Sequence, residues 1–269
     1  MTLRRFEGKV AVVLGGGADG PSRERGKIPM GNGRAIAMRL ASEGARVVVV
    51  DRRLDLAKLT VDNLQGEAHA VEADLANIED CTRIVESSLD KYGRVDVVIA
   101  NAAVSSSMSA VQQTVEDWEF SNDVNVRGHW LVAQKALPQM IERGAGSFVF
   151  VGSTAGQLSS GRSLAYEATK AAQLAVMRHI AVRFGSKGIR SNAVVLGVID
   201  SALVRREFGD SEEALAARSE IGPMRRQGRP EEVAGAAAFL ASDDASYVNG
   251  HSLIVDGGVS AQWPSPRKG

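Results

Sequence analysis

The chain has 269 residues, 44% hydrophobic and 24% charged, enough to bury one sizeable core in a single α/β domain spanning residues 1–269. Its 32 basic and 32 acidic residues cancel, which argues against nucleic acid or an anionic membrane as the main partner and for a small ligand. The one cysteine, Cys81, allows no intrachain disulfide, and no apolar run approaches the roughly 18 to 20 residues of a membrane span. The segment MTLRRFEGKVAVVL runs into a strand without a cleavable signal pattern, so a cytoplasmic location is expected. His69, His129, His179 and His251 form no H-E-x-x-H or His/Cys cluster, and no metal site is expected.

Lys9 to Leu14 (KVAVVL) is a β-branched run that ends on Gly15-Gly16-Gly17, the pattern of a buried parallel strand feeding a tight turn. Gly31-Asn32-Gly33-Arg34 then opens a helix whose apolar residues recur at helical spacing until Gly44. Arg46 to Val50 is a second strand delivering Asp51 at its carboxyl end. This βαβ unit is a dinucleotide-binding plan: glycines let the backbone approach a pyrophosphate at a helix N-terminus, and the acid takes the ribose hydroxyls.

The plan repeats. Leu54 to Leu64 reads as helix, Ala68 to Ala73 as strand ending on Asp74, Ile78 to Tyr92 as helix, and Val95 to Ala100 as strand ending on Asn101-Ala102-Ala103. Trp118 to Ile141 reads as one long helix carrying Asn125, bent near its end by Pro138. Ser147 to Val151 is a strand, and a helix opens with Tyr166 and Lys170. Ile189 to Val195 is a strand, followed by a variable segment to Arg226, a helix after Pro230 and a last strand at His251 to Val255. The alternation predicts a doubly wound parallel sheet of about seven strands, a Rossmann-type architecture with helices on both faces. The tail, residues 262–269, carries Pro264 and Pro266 and reads as extended.

Residues four apart on a helix share a face, so the phenol of Tyr166 and the ammonium of Lys170 point into one space. A free phenol titrates near pH ~10, and a cation within about 4 to 6 Å favours the phenolate and brings it toward the working range. Tyr166 thereby becomes a general acid/base. Ser153 lies at the carboxyl end of the preceding strand, where side chains of an open α/β sheet converge on a crevice, and its hydroxyl would hold a substrate oxygen against Tyr166.

In this order the motifs resemble the short-chain dehydrogenase/reductase family over nearly the whole chain: the glycine turn, Asp74, Asn101-Ala102-Ala103, Asn125, Ser153, Tyr166, Lys170 and the ending GRPEEVAGAAAFLASDDASYVNGHSLIVDGG. The resemblance implies an NAD(P)-dependent oxidoreductase that interconverts a secondary alcohol and a ketone. Hydride would pass between the nicotinamide and the carbinol carbon while Tyr166 exchanges the proton on oxygen and Ser153 orients that oxygen. Lys170 would bond the nicotinamide ribose, and Asn125 would hold a water linking Lys170 to solvent. Cofactor contacts are implied at Gly15, Gly31, Gly33, Asp51, Asp74, Leu75, Asn101, Ala102, Tyr166, Lys170, Gly197, Ile199 and Ser201.

Two departures stand out. The family's G-x-x-x-G-x-G spacing is stretched here by about twelve residues, an insertion over residues 16–30, which brings Arg23, Arg25 and Lys27 within reach of cofactor phosphates. Leu196-Gly197 stands where Pro-Gly is common in the family. Cofactor choice rests on Asp51-Arg52-Arg53: the carboxylate accepts from both ribose hydroxyls and repels a 2′-phosphate, favouring NAD over NADP, while Arg52 pulls the other way. Residues 197–226 are expected to cover the substrate without defining its class. Two other readings stay open, a reductase of activated C=C bonds and a catalytically silent NAD-binding sensor. The helices at Trp118 to Ile141 and Leu164 to Phe184 carry small or apolar faces, among them Ala165, Ala168, Ala172 and Ala175, and a homo-tetramer is expected.

Overall fold

Strand β1 (Val10–Leu14) is apolar at every position, and every position is buried, as a parallel strand covered on both faces requires. Val10, Val12 and Leu14 enter one core while Ala11 and Val13 enter the other, following the two-residue alternation of a pleated strand. The computed structural model describes residues 4–17 and 30–263. Among these, β1 is joined by β2 (Arg46–Asp51), β3 (Ala68–Glu72), β4 (Val97–Ala100), β5 (Gly146–Ser153), β6 (Ile189–Leu196) and β7 (Ser252–Val255). All pair in parallel, in the order β3-β2-β1-β4-β5-β6-β7. The order reverses between β1 and β4, and the crevice outside their carboxyl ends is where such sheets take their ligands.

Helices cover both faces. On one side α1 (Asn32–Ser42) and α9 (Pro230–Ala241) bury Ile36, Leu40, Val233 and Leu240 against Val13, Val49 and Ile99. On the other, α3 (Ile78–Tyr92), α5 (His129–Arg143) and α6 (Leu164–Phe184) bury Ile84, Val132, Met140, Leu174 and Met177 against Val12, Phe148 and Phe150. Full burial of a side chain of this size is worth about 1.5–3 kcal/mol, so the two cores carry the sheet. Helix α3 shows why its ends are sharp. Asn77 accepts from the N–H groups of Glu79 and Asp80 at its start, and Gly93, at φ 71°, ends it in the left-handed conformation.

The long helix expected over Trp118 to Ile141 is not one α-helix. It begins as α4 (Val115–Asn122), capped by the Thr114 hydroxyl, passes through a π-helical turn over Asp123–Gly128 and resumes as α5. A π turn takes in an extra residue per turn, which side-chain periodicity alone does not announce. Here it seats Gly128 so close to Leu75 that a Cβ would lie 2.5 Å from the Leu75 carbonyl oxygen. Pro138 sits within α5, which continues to Arg143.

The helix read as Leu54 to Leu64 stops earlier: α2 spans Leu54–Val61, and the Asn63 amide turns back onto the Leu59 carbonyl at 2.7 Å. The variable segment after β6 holds two short helices, α7 (Ala202–Phe208) and α8 (Glu212–Ser219), begun by the hydroxyls of Ser201 and Ser211. Ala165, expected on the outer face of α6, is fully buried within the chain.

Candidate active site

Strand β5 runs two residues further than its apolar core, pairing Ser153 with Leu196. This sets the Ser153 side chain at the rim of the sheet, where its hydroxyl accepts from the Ala155 N–H at 3.1 Å. Tyr166 and Lys170 stand one turn apart in the first half of α6. The Lys170 ammonium is buried, donates to the Val151 carbonyl at 2.8 Å and lies 5.5 Å from the centre of the Tyr166 ring. The π turn brings Asn125 in from the other side. Its Oδ1 accepts from the Val104 N–H at 2.8 Å, while its Nδ2 donates to the Val104 carbonyl at 2.9 Å and to the Thr169 hydroxyl at 3.0 Å. Thr169 in turn donates to the Tyr166 carbonyl at 3.0 Å.

The electrostatics of this group differ from the expectation. Burial pushes the Tyr166 phenol above its ordinary value, and the Ser153 hydroxyl, hydrogen-bonding to it, pulls the other way. Lys170 does not bring the phenol down. Its own burial drives its pKa from 10.5 to about 7, so its positive charge is only partly present at neutral pH, and the Val151 carbonyl takes one of its hydrogen bonds.

At the β1 end of the crevice the glycines are required by space. The N–H groups of Gly15 and Gly16 both donate to the Val50 carbonyl, at 2.8 and 3.0 Å, and Gly15 turns the chain at φ 69°. A Cβ on Gly33 would lie 2.0 Å from the Gly15 carbonyl oxygen. Gly31 precedes α1 with no side-chain cap, so first-turn N–H groups are left for a ligand phosphate. Asn101 is committed to this turn, since its amide donates to the carbonyls of Leu14 and Gly15 at 3.2 and 3.0 Å. Ala102 packs against Gly15 so tightly that a Cβ there would lie 2.8 Å away.

Asp51 accepts from the N–H groups of Gly17 at 3.2 Å and Arg53 at 3.1 Å. Burial holds its carboxyl above the ordinary value and these two bonds pull it back. Both oxygens keep further lone pairs for hydroxyl donors. Arg53 turns to Asp55 at 2.7 Å. The turn glycines, the open helix start and the carboxylate thus fit a dinucleotide.

The other expected contact residues line the same rim of the sheet. Asp74 accepts from the Ala76 N–H at 2.9 Å, and Leu75 is buried beside the π turn. Gly197 closes onto Asp256, where a Cβ would meet the Asp256 Cα at 2.7 Å. Ile199 is buried and bridged to Gly228, and Ser201 starts α7 by accepting from the Val204 N–H. Residues 18–29, with Arg23, Arg25 and Lys27, lie outside the described residues.

A family model described as enoyl-(acyl carrier protein) reductase matches residues 29–260. Dehydrogenase/reductase SDR family member 4 from Homo sapiens is 33% identical over 236 residues, 86% of this chain and 84% of its own length. The chain belongs to the short-chain dehydrogenase/reductase family. L-rhamnose-1-dehydrogenase from Scheffersomyces stipitis is 34% identical over 262 residues, 94% of this chain and 96% of its own. A solved structure from Beutenbergia cavernae, described as an NAD(P)-dependent gluconate 5-dehydrogenase with NADP bound at low occupancy, superposes with a TM-score of 0.84. It is 32% identical, covering 95% of this chain and 98% of that one. This chain is accordingly an oxidoreductase of a family that binds NAD(P).

Residue spacing brought Ser153, Tyr166 and Lys170 to attention, and the family resemblance Asn125, but neither showed what holds them. Thr169 and the Val151 carbonyl carry no chemistry of their own in the sequence. Gly17 is visible only as one of three glycines, although a Cβ there would lie 2.5 Å from the Asp51 carboxylate.

Proposed function

We propose that the protein transfers hydride between NAD(H) and the carbinol or carbonyl carbon of a small secondary alcohol or ketone, with Tyr166 moving the proton. The observation that carries this reading is the grouping of the Ser153 hydroxyl with the Tyr166 phenol and, one turn on, the buried Lys170 ammonium. Ser153 would hold the substrate oxygen. Tyr166 would take its proton in oxidation and return it in reduction. Lys170, bonded once to Val151, has two further N–H groups for ribose hydroxyls, and Asn125 would hold the water that links Lys170 to solvent. When bound, the nicotinamide supplies or accepts the hydride and, in its oxidised form, adds a positive charge to the site. Orienting the two reacting carbons side by side is part of what the protein would contribute.

NAD is favoured over NADP because Asp51 faces the ribose end and Arg53 is turned away to Asp55. A 2′-phosphate would meet that carboxylate at close range. Asp74, Leu75, Asn101, Ala102, Gly197, Ile199 and Ser201 complete the cofactor side of this reading. Reduction of an activated C=C bond is the second reading, favoured by the description of the matching family model. A serine hydroxyl beside the tyrosine suits a substrate oxygen better. A screen of secondary alcohols, sugars, sugar acids, ketones and enoyl thioesters, followed by NADH absorbance, tests both. Turnover of an alcohol or ketone is expected, and turnover confined to enoyl thioesters would overturn the proposal.

A further inference from the structure

A polar seam joins the π turn and the start of α5 to α6 behind the reacting group. Asn125, His129, Thr169, Lys170 and Gln173 are each at most 2% exposed. The seam has two rungs. Asn125, in the π turn, bonds Thr169 at 3.0 Å, and four residues further along each segment the Gln173 amide meets the His129 ring at 2.6 Å. On α6 the step from Thr169 to Gln173 is four residues, so both lie on one face, and the π turn and the start of α5 bring Asn125 and His129 to meet them.

The first rung has an evident role, since it fixes Asn125 onto the helix that carries Tyr166 and Lys170. The second is not explained by packing, because an apolar pair would fill the same interface without burying polar atoms. His129 Nε2 and Gln173 Oε1 are buried without a protein partner. The ring stands edge-on to Phe150, centroids 6.5 Å apart, next to the residue whose carbonyl holds Lys170. Burial and the nearby Lys170 charge drive the His129 pKa down to about 3, with the Asn125 carbonyl pulling weakly the other way. The imidazole is therefore neutral, and a neutral ring presents one donor and one acceptor. An unmatched ring nitrogen and an unmatched amide oxygen in one apolar pocket are what a buried water satisfies.

We infer that His129 and Gln173, completed by buried water on their two open atoms, form a positioning pair that holds Asn125 and Lys170 from behind. The inference rests on the assignment of Lys170 to the proton-transferring group. Neither residue touches substrate or cofactor. The pair fixes the helix-to-helix distance one turn beyond the reacting groups and keeps polar atoms near an otherwise desolvated ammonium. The groups facing Lys170 are Tyr166 on its own helix, neutral His129 from α5 and the Val151 carbonyl from β5; among the described residues no carboxylate contributes to its titration.

Two measurements test this on the whole chain, without substrate. A high-resolution crystal structure of the wild type should show ordered water on His129 Nε2 and Gln173 Oε1; none on either atom would overturn the inference whatever the variants do. In the double variant His129→Val/Gln173→Val both polar partners are replaced together, so the fold should survive. The Lys170 titration, followed by NMR of ¹³Cε-labelled lysine, should then move down by about half a pH unit as polar surroundings give way to hydrocarbon. A changed melting temperature with an unmoved Lys170 titration would mean a structural role only. Turnover of Tyr166→Phe judges the proton-transfer reading separately, so failure of one leaves the other standing.

Discussion

With its ammonium buried and one acceptor at Val151, Lys170 titrates at about 7 in the folded chain against an ordinary 10.5. Between those values the unfolded chain binds a proton that the folded chain does not, so stability rises with pH across the window and the cost of the buried charge is complete below pH 7. Lys170→Met removes that cost. In the cofactor-free protein the variant should be the more stable one below pH 7, on the order of 1 to 3 kcal/mol, with the difference shrinking toward pH ~10. Melting curves across that range check the sign, and parallel pH dependences for the two proteins would refute it. At the other end of the crevice, Asp51→Ala should weaken NAD and improve NADP by a combined 2 to 4 kcal/mol, roughly, since it removes two acceptors and a charge facing the 2′-phosphate. Comparing kcat/KM for the two cofactors measures it. A wild type that already prefers NADP would place the selectivity elsewhere, with the basic residues 23, 25 and 27 the first to replace.

At the scale of elements, the turn that presents Asn125 is the feature to perturb. A Cβ on Gly128 would fall 2.5 Å from the Leu75 carbonyl oxygen and 2.7 Å from its Cβ, and neither neighbour can yield without moving the exit of β3. Gly128→Ala should therefore cost about 1 to 3 kcal/mol of stability and lower kcat by more than it changes the KM for NAD, because Asn125 is displaced while Asp51 is not. Melting temperature and steady-state kinetics decide it, and a variant with wild-type kcat would show that the turn tolerates the shift. That turn also marks where the sequence stops being legible. Helix α3 could be read to its last residue because Asn77 and Gly93 are local signals, and β1 because five buried apolar positions leave no other reading. The π turn is set by Leu75, some fifty residues away in sequence, and by the Asn125 side chain reaching Val104, so no window around it carries the signal. The two helices between β6 and α9 were not read: Ser201 and Ser211 are ordinary caps, but charged residues blur the apolar face. Asn101 could be singled out, but its use as a clamp on the glycine turn depends on β1 and β4 lying side by side.

For the molecule as a whole, the outer surfaces of α4, α5 and α6 leave Trp118, Phe120, Trp130 and Val182 exposed, the last at 85%. Of the four alanines expected on the outer face of α6, Ala165 is turned inward, which leaves Ala168, Ala172 and Ala175. We propose that these helices pair across two-fold axes in a homo-tetramer. Light scattering at micromolar concentration should give the mass of four chains, and the mass of one would count against it. Among the described residues no helix is long and apolar enough to cross a membrane. In the proposed function the sheet, the glycine turn and the two helix layers would hold a cofactor beside the Ser153–Tyr166–Lys170 group, and that arrangement turns on one proton. The most direct measurement is kcat for Tyr166→Phe on the best substrate of the alcohol and ketone screen, with NAD affinity and melting temperature measured alongside. Loss of the general acid/base should lower kcat by at least about 10²-fold while NAD affinity and fold stay near wild type; a variant that keeps near wild-type kcat would contradict the account.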